Sequence, residues 1–283
     1  MVFQPFQTFF PEELVDFEDQ RRLYEGMLDH SAKKRLMFVQ ASGTCGKTSF
    51  LNMARFHCEQ ENIPCCWIDF RGKSYDSPHF TLAHEICDQL GLSPSDMAQA
   101  LQYLSISTPG GSEATMHING NVSDSNVINQ VLMTVNLNHD ELRKPYMRER
   151  LIRAFIADLR DFASRKGCVA CLFDHIEDIS TEDERWLLDA LLSPIAGAQF
   201  KGVMVVVAGR RWPKIEPLDW EKSAYLIDSL PRMSVEHIKS YAKKVGVEIT
   251  HEEAEFCWQF SGGGNPQIMG IMIKHRVSIG WER

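Results

Sequence analysis

The sequence predicts an α/β fold, a mainly parallel sheet with helices on both faces, followed by a small C-terminal helical lobe. Three observations carry that expectation. Short apolar runs alternate with amphipathic stretches over about two hundred residues. A glycine-containing turn follows the first apolar run and opens a helix. From Ser234 onward the strand pattern stops and only helical periodicity remains.

Taken in order, Phe17 to His30 sets Phe17, Leu23, Met27 and Leu28 among charges, which suits an amphipathic helix. Leu36 to Val39 is a short strand between Lys33-Lys34-Arg35 and Ala41-Ser42-Gly43, and a helix follows from Lys47 to about Glu61. Cys65 to Phe70 reads as a second strand, Phe80 to Leu90 as a helix, Cys168 to Phe173 as a third strand, Glu182 to Leu192 as a helix, and Val203 to Ala208 as a fourth strand. Such alternation of apolar runs with helices implies a mainly parallel sheet covered on both faces. Thr108 to His139, rich in Gly, Ser and Asn, breaks the rhythm as an insertion, with Met116 to Asn119 and Leu132 to Asn136 as the strands of a hairpin. Glu141 to Ser164 then resumes as a long charged helix. The lobe reads as three helices separated by Gly246 and by Gly262-Gly263-Gly264.

Composition narrows the function. The 283 residues carry 30 Lys+Arg against 38 Asp+Glu, a formal charge of −8, with 44% hydrophobic residues, as in a globular protein. No apolar run reaches the eighteen or so residues of a spanning helix, and Met1 to Pro11 has neither a basic start nor an apolar core, so a cytoplasmic protein is expected. The acidic balance argues against a protein that coats nucleic acid. Eight cysteines are too dilute for a disulfide scaffold and sit mostly in apolar stretches, so they are expected reduced. Cys168-x-x-Cys171 has metal spacing, but it lies within an apolar strand and lacks a second pair.

The most specific feature is Ala41-Ser42-Gly43-Thr44-Cys45-Gly46-Lys47-Thr48, which fits the phosphate-loop pattern G-x-x-x-x-G-K-[ST] except for Ala41 at its first position. Backbone N–H groups of such a loop converge on a β-phosphate and the helix N-terminus adds its dipole. Lys47 neutralises phosphate charge, and the Thr48 hydroxyl is suited to Mg2+. Ser42, Gly43, Thr44, Cys45, Gly46, Lys47, Thr48 and Ser49 are therefore the expected nucleotide-binding residues, within a P-loop NTPase fold. A matching carboxylate should end another buried strand, and Asp174 does so after Cys168 to Phe173. Glu177, three residues on, is placed for a turn to return it toward a γ-phosphate as the water-orienting group. His175 occupies the intervening position, a neighbour rather than a base. Arg210, at the tip of the fourth strand, is the candidate γ-phosphate sensor.

With Phe173-Asp174-His175-Ile176-Glu177, Val206-Val207-Ala208-Gly209-Arg210 and Ser261-Gly262-Gly263-Gly264-Asn265-Pro266 in this order after the loop, the chain resembles the STAND class of signal-transduction ATPases, relatives of AAA+ proteins. The likeness spans roughly Phe17 to Arg276, leaving the 108–139 insertion outside it. It implies ATP and ADP as ligands with Mg2+, held by Thr48 and Asp174. It also implies that Pro266, in a Gly-x-Pro element, touches the adenine or ribose, and that Phe17 to Leu23 corresponds to an adenine-flanking helix, although Asp19-Gln20-Arg21-Arg22 departs from the Gly-Arg-Glu that such a helix shows. Residues 1–230 would then form the nucleotide-binding domain and 231–283 the helical lid, hinged at Leu230-Pro231. The resemblance further implies a switch that hydrolyses ATP slowly, forms a homo-oligomer in the ATP state and signals, in defence among other settings, to an effector or sensor lying outside this sequence. Arg148 and Arg150 are candidates for completing a neighbour's site. Two other readings share the loop: an AAA+ ATPase acting on DNA-bound complexes, which should show a basic face, and a small-molecule kinase, which should show an arginine-rich lid where Ser180 to Phe200 offers only Arg185.

Overall fold

The computed structural model describes residues 17–29, 31–73, 75, 81–93, 95–100, 145–213 and 220–279. The hairpin expected within 108–139 lies outside them. Helix α1 (Glu18–Leu28) precedes strand β1 (Leu36–Gln40), followed by α2 (Lys47–Gln60), β2 (Cys65–Asp69), α3 (Thr81–Leu90), α4 (Pro145–Lys166) and β3 (Val169–Asp174). A 3-10 turn (Ile176–Asp178) leads to α5 (Thr181–Leu187), which continues through a π-helical turn (Leu188–Leu192) into Ser193–Ala196. After β4 (Val203–Gly209) come a helical turn (Trp220–Ser223), β5 (Ala224–Ile227), and the helices α6 (Val235–Lys244), α7 (His251–Phe260) and α8 (Pro266–Ile279).

The five strands form one sheet in the order β2-β3-β4-β1-β5, with every pair parallel. Strand alternation sorts side chains to two faces. Leu36, Phe38, Ile68, Cys171, Phe173, Val205 and Val207 pack with residues of α3, α4 and α5 in one core. Met37, Val39, Ala170, Leu172, Met204, Val206 and Ala208 pack on the other side with Tyr24 and Met27 of α1 and Phe50, Leu51 and Ala54 of α2. Being buried on both faces is why β1, β3 and β4 read as continuous apolar runs. Strand β5 escaped the sequence reading because it is a four-residue, half-buried edge strand behind a charged turn.

The helical segment has its own core of Met233, Ile238, Tyr241, Ala242, Ala254, Met269 and Ile273. Helices α6 and α7 start at reciprocal capping boxes, Ser234 with His237 and Thr250 with Glu253, each satisfying two otherwise unpaired N–H groups. The fold sets the site through one topological fact. Because β4 lies between β1 and β3, and all strands run the same way, the loop after β1, the end of β3 and the tip of β4 share one edge of the sheet.

Candidate nucleotide site

The loop begins where the sheet ends. The Ala41 N–H donates to the Gly209 carbonyl (3.1 Å), extending the β1–β4 ladder one residue beyond β1. The chain then turns through Thr44 at φ 64 and Gly46 at φ 86, and α2 starts at Lys47. Gly46 is required twice: its φ lies in the left-handed region, and a Cβ there would sit 2.7 Å from Cζ of Phe17. The Phe17 ring, buried and edge-on to Phe50, thus covers the loop's last glycine, with Pro266 Cγ 3.7 Å from the same Cβ position. The N-terminal turn of α8 therefore meets the phosphate loop, and the expected ligand contacts Phe17 and Pro266 stand side by side.

Lys47 is buried, and its ammonium donates to the carbonyls of Ala41 and Ser42, both at 2.8 Å. Burial lowers its pKa from 10.5, while the nearby carboxylates of Glu177 and Asp174 pull it back up. Thr48, one residue on, donates from Oγ1 to Asp174 Oδ2 at 2.7 Å, a bond spanning 126 residues of sequence. Asp174 is fully buried at the last position of β3, and its other oxygen accepts the His175 N–H at 2.9 Å. Burial raises its carboxyl pKa above 3.8, against the opposing pull of His175 and the Thr48 hydroxyl. In the loop itself Ser42 Oγ lies 3.1 Å from Cys45 Sγ, and Thr44 Oγ1 donates to the Gly43 carbonyl at 2.6 Å. Ser49 is the third residue of α2.

Beyond Asp174 the backbone passes through His175 at φ 57, and the 3-10 turn of residues 176–178 returns Glu177 to the sheet edge. There its Oε2 accepts the Arg210 backbone N–H at 2.8 Å, and its Oε1 lies 3.3 Å from Arg210 Nε. The Arg210 guanidinium, 68% exposed, reaches toward the loop, 3.6 Å from where a Cβ on Gly43 would stand. Lys47, Thr48, Asp174, Glu177 and Arg210 are thus brought together. His175 is turned elsewhere: its Nδ1 lies 3.0 Å from Asp69 Oδ1 and 3.4 Å from Asp174 Oδ1. Asp69 is partly buried, which opposes its ionisation, but a two-pronged pair with Arg71 and the nearby His175 hold its carboxyl below 3.8. Of the two arginines considered for a neighbour's site, Arg148 pairs with Asp189 at 2.9 Å within its own chain.

Two residues that the sequence reading quoted within motifs but gave no role take part here. A Cβ on Gly209 would stand 2.3 Å from Ile176 Cγ2 and 2.7 Å from Glu177 Oε2, so only glycine lets Glu177 approach β4. A glycine closing an otherwise apolar strand was the available signal. The other is Asn265, whose Nδ2 donates to Thr44 Oγ1 at 2.8 Å across 221 residues of sequence.

No protein-family profile and no curated protein matches the sequence. Among solved structures, the chain is similar to a Walker-type ATPase of Pyrococcus abyssi, at 15% identity and a TM-score of 0.49 over 95% of this chain and 69% of that one. It is similar to a signal transduction ATPase with numerous domains, carrying a tetratricopeptide repeat sensor, from Pyrococcus horikoshii, at 15% identity and a TM-score of 0.49 over 95% of this chain and 33% of that one. Domain III of the replication initiation protein DnaA of Thermotoga maritima is a further neighbour, at 14% identity and a TM-score of 0.44 over 100% of this chain and 94% of that one. At such identities and TM-scores the likeness assigns no role to this chain. The all-parallel sheet, with β4 between the loop-bearing strand and the strand ending in Asp174, is the P-loop NTPase α/β fold.

Proposed function

We propose that this chain binds ATP and ADP with Mg2+, hydrolyses ATP slowly, and acts as a regulatory switch in which nucleotide state sets the relation between residues 1–230 and the helical lid of residues 231–283. The bond between Thr48 and Asp174 carries this reading. It joins the first turn of the loop's helix to a fully buried carboxylate two strands away, and nothing in packing alone calls for an acid there. The pair fits a hard divalent cation: both ligands are oxygens, and a buried carboxylate with a raised pKa is stabilised in its charged form by a cation. Thr48 Oγ1 and Asp174 would hold Mg2+, which would supply positive charge beside the phosphates.

This chain's own groups do the rest. Lys47 exchanges its two carbonyl partners for phosphate oxygens, keeping its charge at the loop. Glu177 orients water when free, but here its carboxylate is engaged by Arg210. Turnover therefore waits on release of Glu177, which supports slow hydrolysis. Arg210, exposed and close to Gly43, senses the γ-phosphate and exchanges the carboxylate for it. Phe17 and Pro266 flank the loop where a base or ribose would lie. The STAND-type switch remains preferred over the kinase reading because the lid segment approaches the loop directly through Asn265 and Pro266. Assembly in the ATP state, signalling to an outside effector and a cytoplasmic setting belong to the same proposal. Among the described residues no helix is long and apolar enough to cross a membrane.

Light scattering after size exclusion, in ADP and in a non-hydrolysable ATP analogue with Mg2+, tests the switch. Larger assemblies only with the analogue are expected. A monomer in both states, with unaltered nucleotide turnover, would remove oligomerisation from the account.

A further inference from the structure

Asn265 stands at the junction of the lobe and the loop, and its side chain has two faces. Its Oδ1 accepts the backbone N–H groups of Gln267 (3.1 Å) and Ile268 (3.2 Å), capping α8. Its Nδ2 donates to Thr44 Oγ1 in the phosphate loop (2.8 Å), while the Thr44 hydroxyl proton goes to the Gly43 carbonyl (2.6 Å). The partners fix the orientation of the amide: turned over, its NH2 would face two backbone donors. Capping alone needs only an acceptor, which Ser or Asp supplies as well as Asn. The donor is an additional property, and it is spent on the loop.

Both ends of this bond sit on constrained backbone. Thr44 holds φ 64, a left-handed conformation that costs a β-branched residue energy. Asn265 follows three glycines, Gly262, Gly263 and Gly264, all at positive φ. Gly264 is clamped against the segment leaving the sheet domain: the Met233 N–H donates to its carbonyl at 2.9 Å, and a Cβ on Gly264 would stand 1.9 Å from the Met233 carbonyl oxygen. Arg232 bonds the Gly262 carbonyl in the same turn. A continuous chain of contacts therefore runs from Thr44 through Asn265 and Gly264 to Met233, just after Leu230-Pro231.

We propose that Asn265 is a positioning residue that couples the conformation of the phosphate loop, read through Thr44 Oγ1, to the attitude of the helical lobe at residues 230–233. Loop N–H groups turn toward a phosphate when one binds, and Thr44 lies in the middle of that loop, so its hydroxyl moves with them. The bond then carries that movement to α8 and to the hinge. This inference deepens the nucleotide-switch reading, and its consequence for ligand release rests on that reading.

The test compares wild type, Thr44→Ala, Asn265→Ser, which keeps a cap but loses the reaching donor, and Asn265→Ala, which loses both. The first readout is the rate of protease cleavage at residues 228–232 in nucleotide-free protein; the second is the dissociation rate of a fluorescent ADP. Thr44→Ala and Asn265→Ser should each speed hinge cleavage and ADP release about tenfold, the scale of one lost hydrogen bond, and the double variant should be no faster than either single one. Asn265→Ala should add a lower melting temperature that Asn265→Ser does not show. Additive effects in the double variant, or both single variants within twofold of wild type in both readouts, would overturn the inference. Failure of wild type to bind ADP would refute the nucleotide reading instead, and the cleavage rates would still decide whether the bond holds the lobe.

Discussion

Two carboxylates stand at the same sheet edge and are held by different kinds of partner. Asp174 is fully buried, bonded to Thr48 and to the His175 N–H, and held by a strand with neighbours on both sides. Glu177 sits on a short 3-10 turn, largely buried itself, with one oxygen on the Arg210 backbone N–H and the other facing the Arg210 guanidinium, which is mostly in solvent. The difference suits the two carboxylates to the separate roles proposed for them. A group that holds a cation gains from a rigid, dry position, where its desolvation cost is already borne by the fold. A group that must be engaged and released gains from a partner that can exchange, as a guanidinium reaching largely into solvent can.

The contrast can be broken most severely from the loop side. Lys47→Ala should weaken ATP and ADP binding at least about a hundredfold, the scale of a lost charge-assisted phosphate contact in a buried site, with the fold retained by circular dichroism. Equal affinity in this variant would detach the loop from the ligand. Next in size, Gly209→Ala places a Cβ against Ile176 and Glu177, which should cost about 1–3 kcal/mol of stability as overpacking does and slow turnover by displacing Glu177. An unchanged melting temperature together with unchanged turnover would show that the approach of the turn to β4 is incidental. Glu177→Gln should leave nucleotide affinity within a few fold and reduce hydrolysis about ten- to a hundredfold, the lower range of general-base contributions. Wild-type turnover would take Glu177 out of the mechanism.

The smallest expected effect concerns pH and sharpens the role of Asp174. Burial places its folded pKa above the unfolded 3.8, so its contribution to stability is fully present below 3.8 and is lost as pH rises through the raised folded value. Cation affinity runs the other way, falling as pH drops through that same value and protonates the carboxylate. Asp174→Asn should flatten both dependences, and at neutral pH it should melt at or above the wild-type temperature, because a buried charge whose desolvation outweighs its hydrogen bonds has been removed. A lower melting temperature would mean that the Thr48 bond outweighs desolvation.

How much of this was legible follows from what each element buries. Strands β1, β3 and β4 were readable because both of their faces are dry, and Asp174 stood out because an acid at the end of such a run has no packing reason to be there. The lobe's three helices were announced by Gly246 and the Gly262-Gly263-Gly264 turn, whose φ values are all positive. Strand β5 was not readable, since an edge strand of four residues carries too little periodicity. The pairing of Glu177 with Arg210 follows from strand order, which single-sequence periodicity does not encode. The clash that forbids a side chain at Gly209, and the reach of Asn265 to Thr44, depend on tertiary approach across 33 and 221 residues.

The most direct measurement is equilibrium binding of a fluorescent ADP to the purified chain, with and without Mg2+, in wild type and Asp174→Asn. Saturable binding by both proteins, tightened by Mg2+ in wild type and insensitive to it in Asp174→Asn, is the predicted result. Absence of binding in wild type, or the same Mg2+ dependence in both proteins, would contradict the assignment of the Thr48–Asp174 pair as the centre of a nucleotide site.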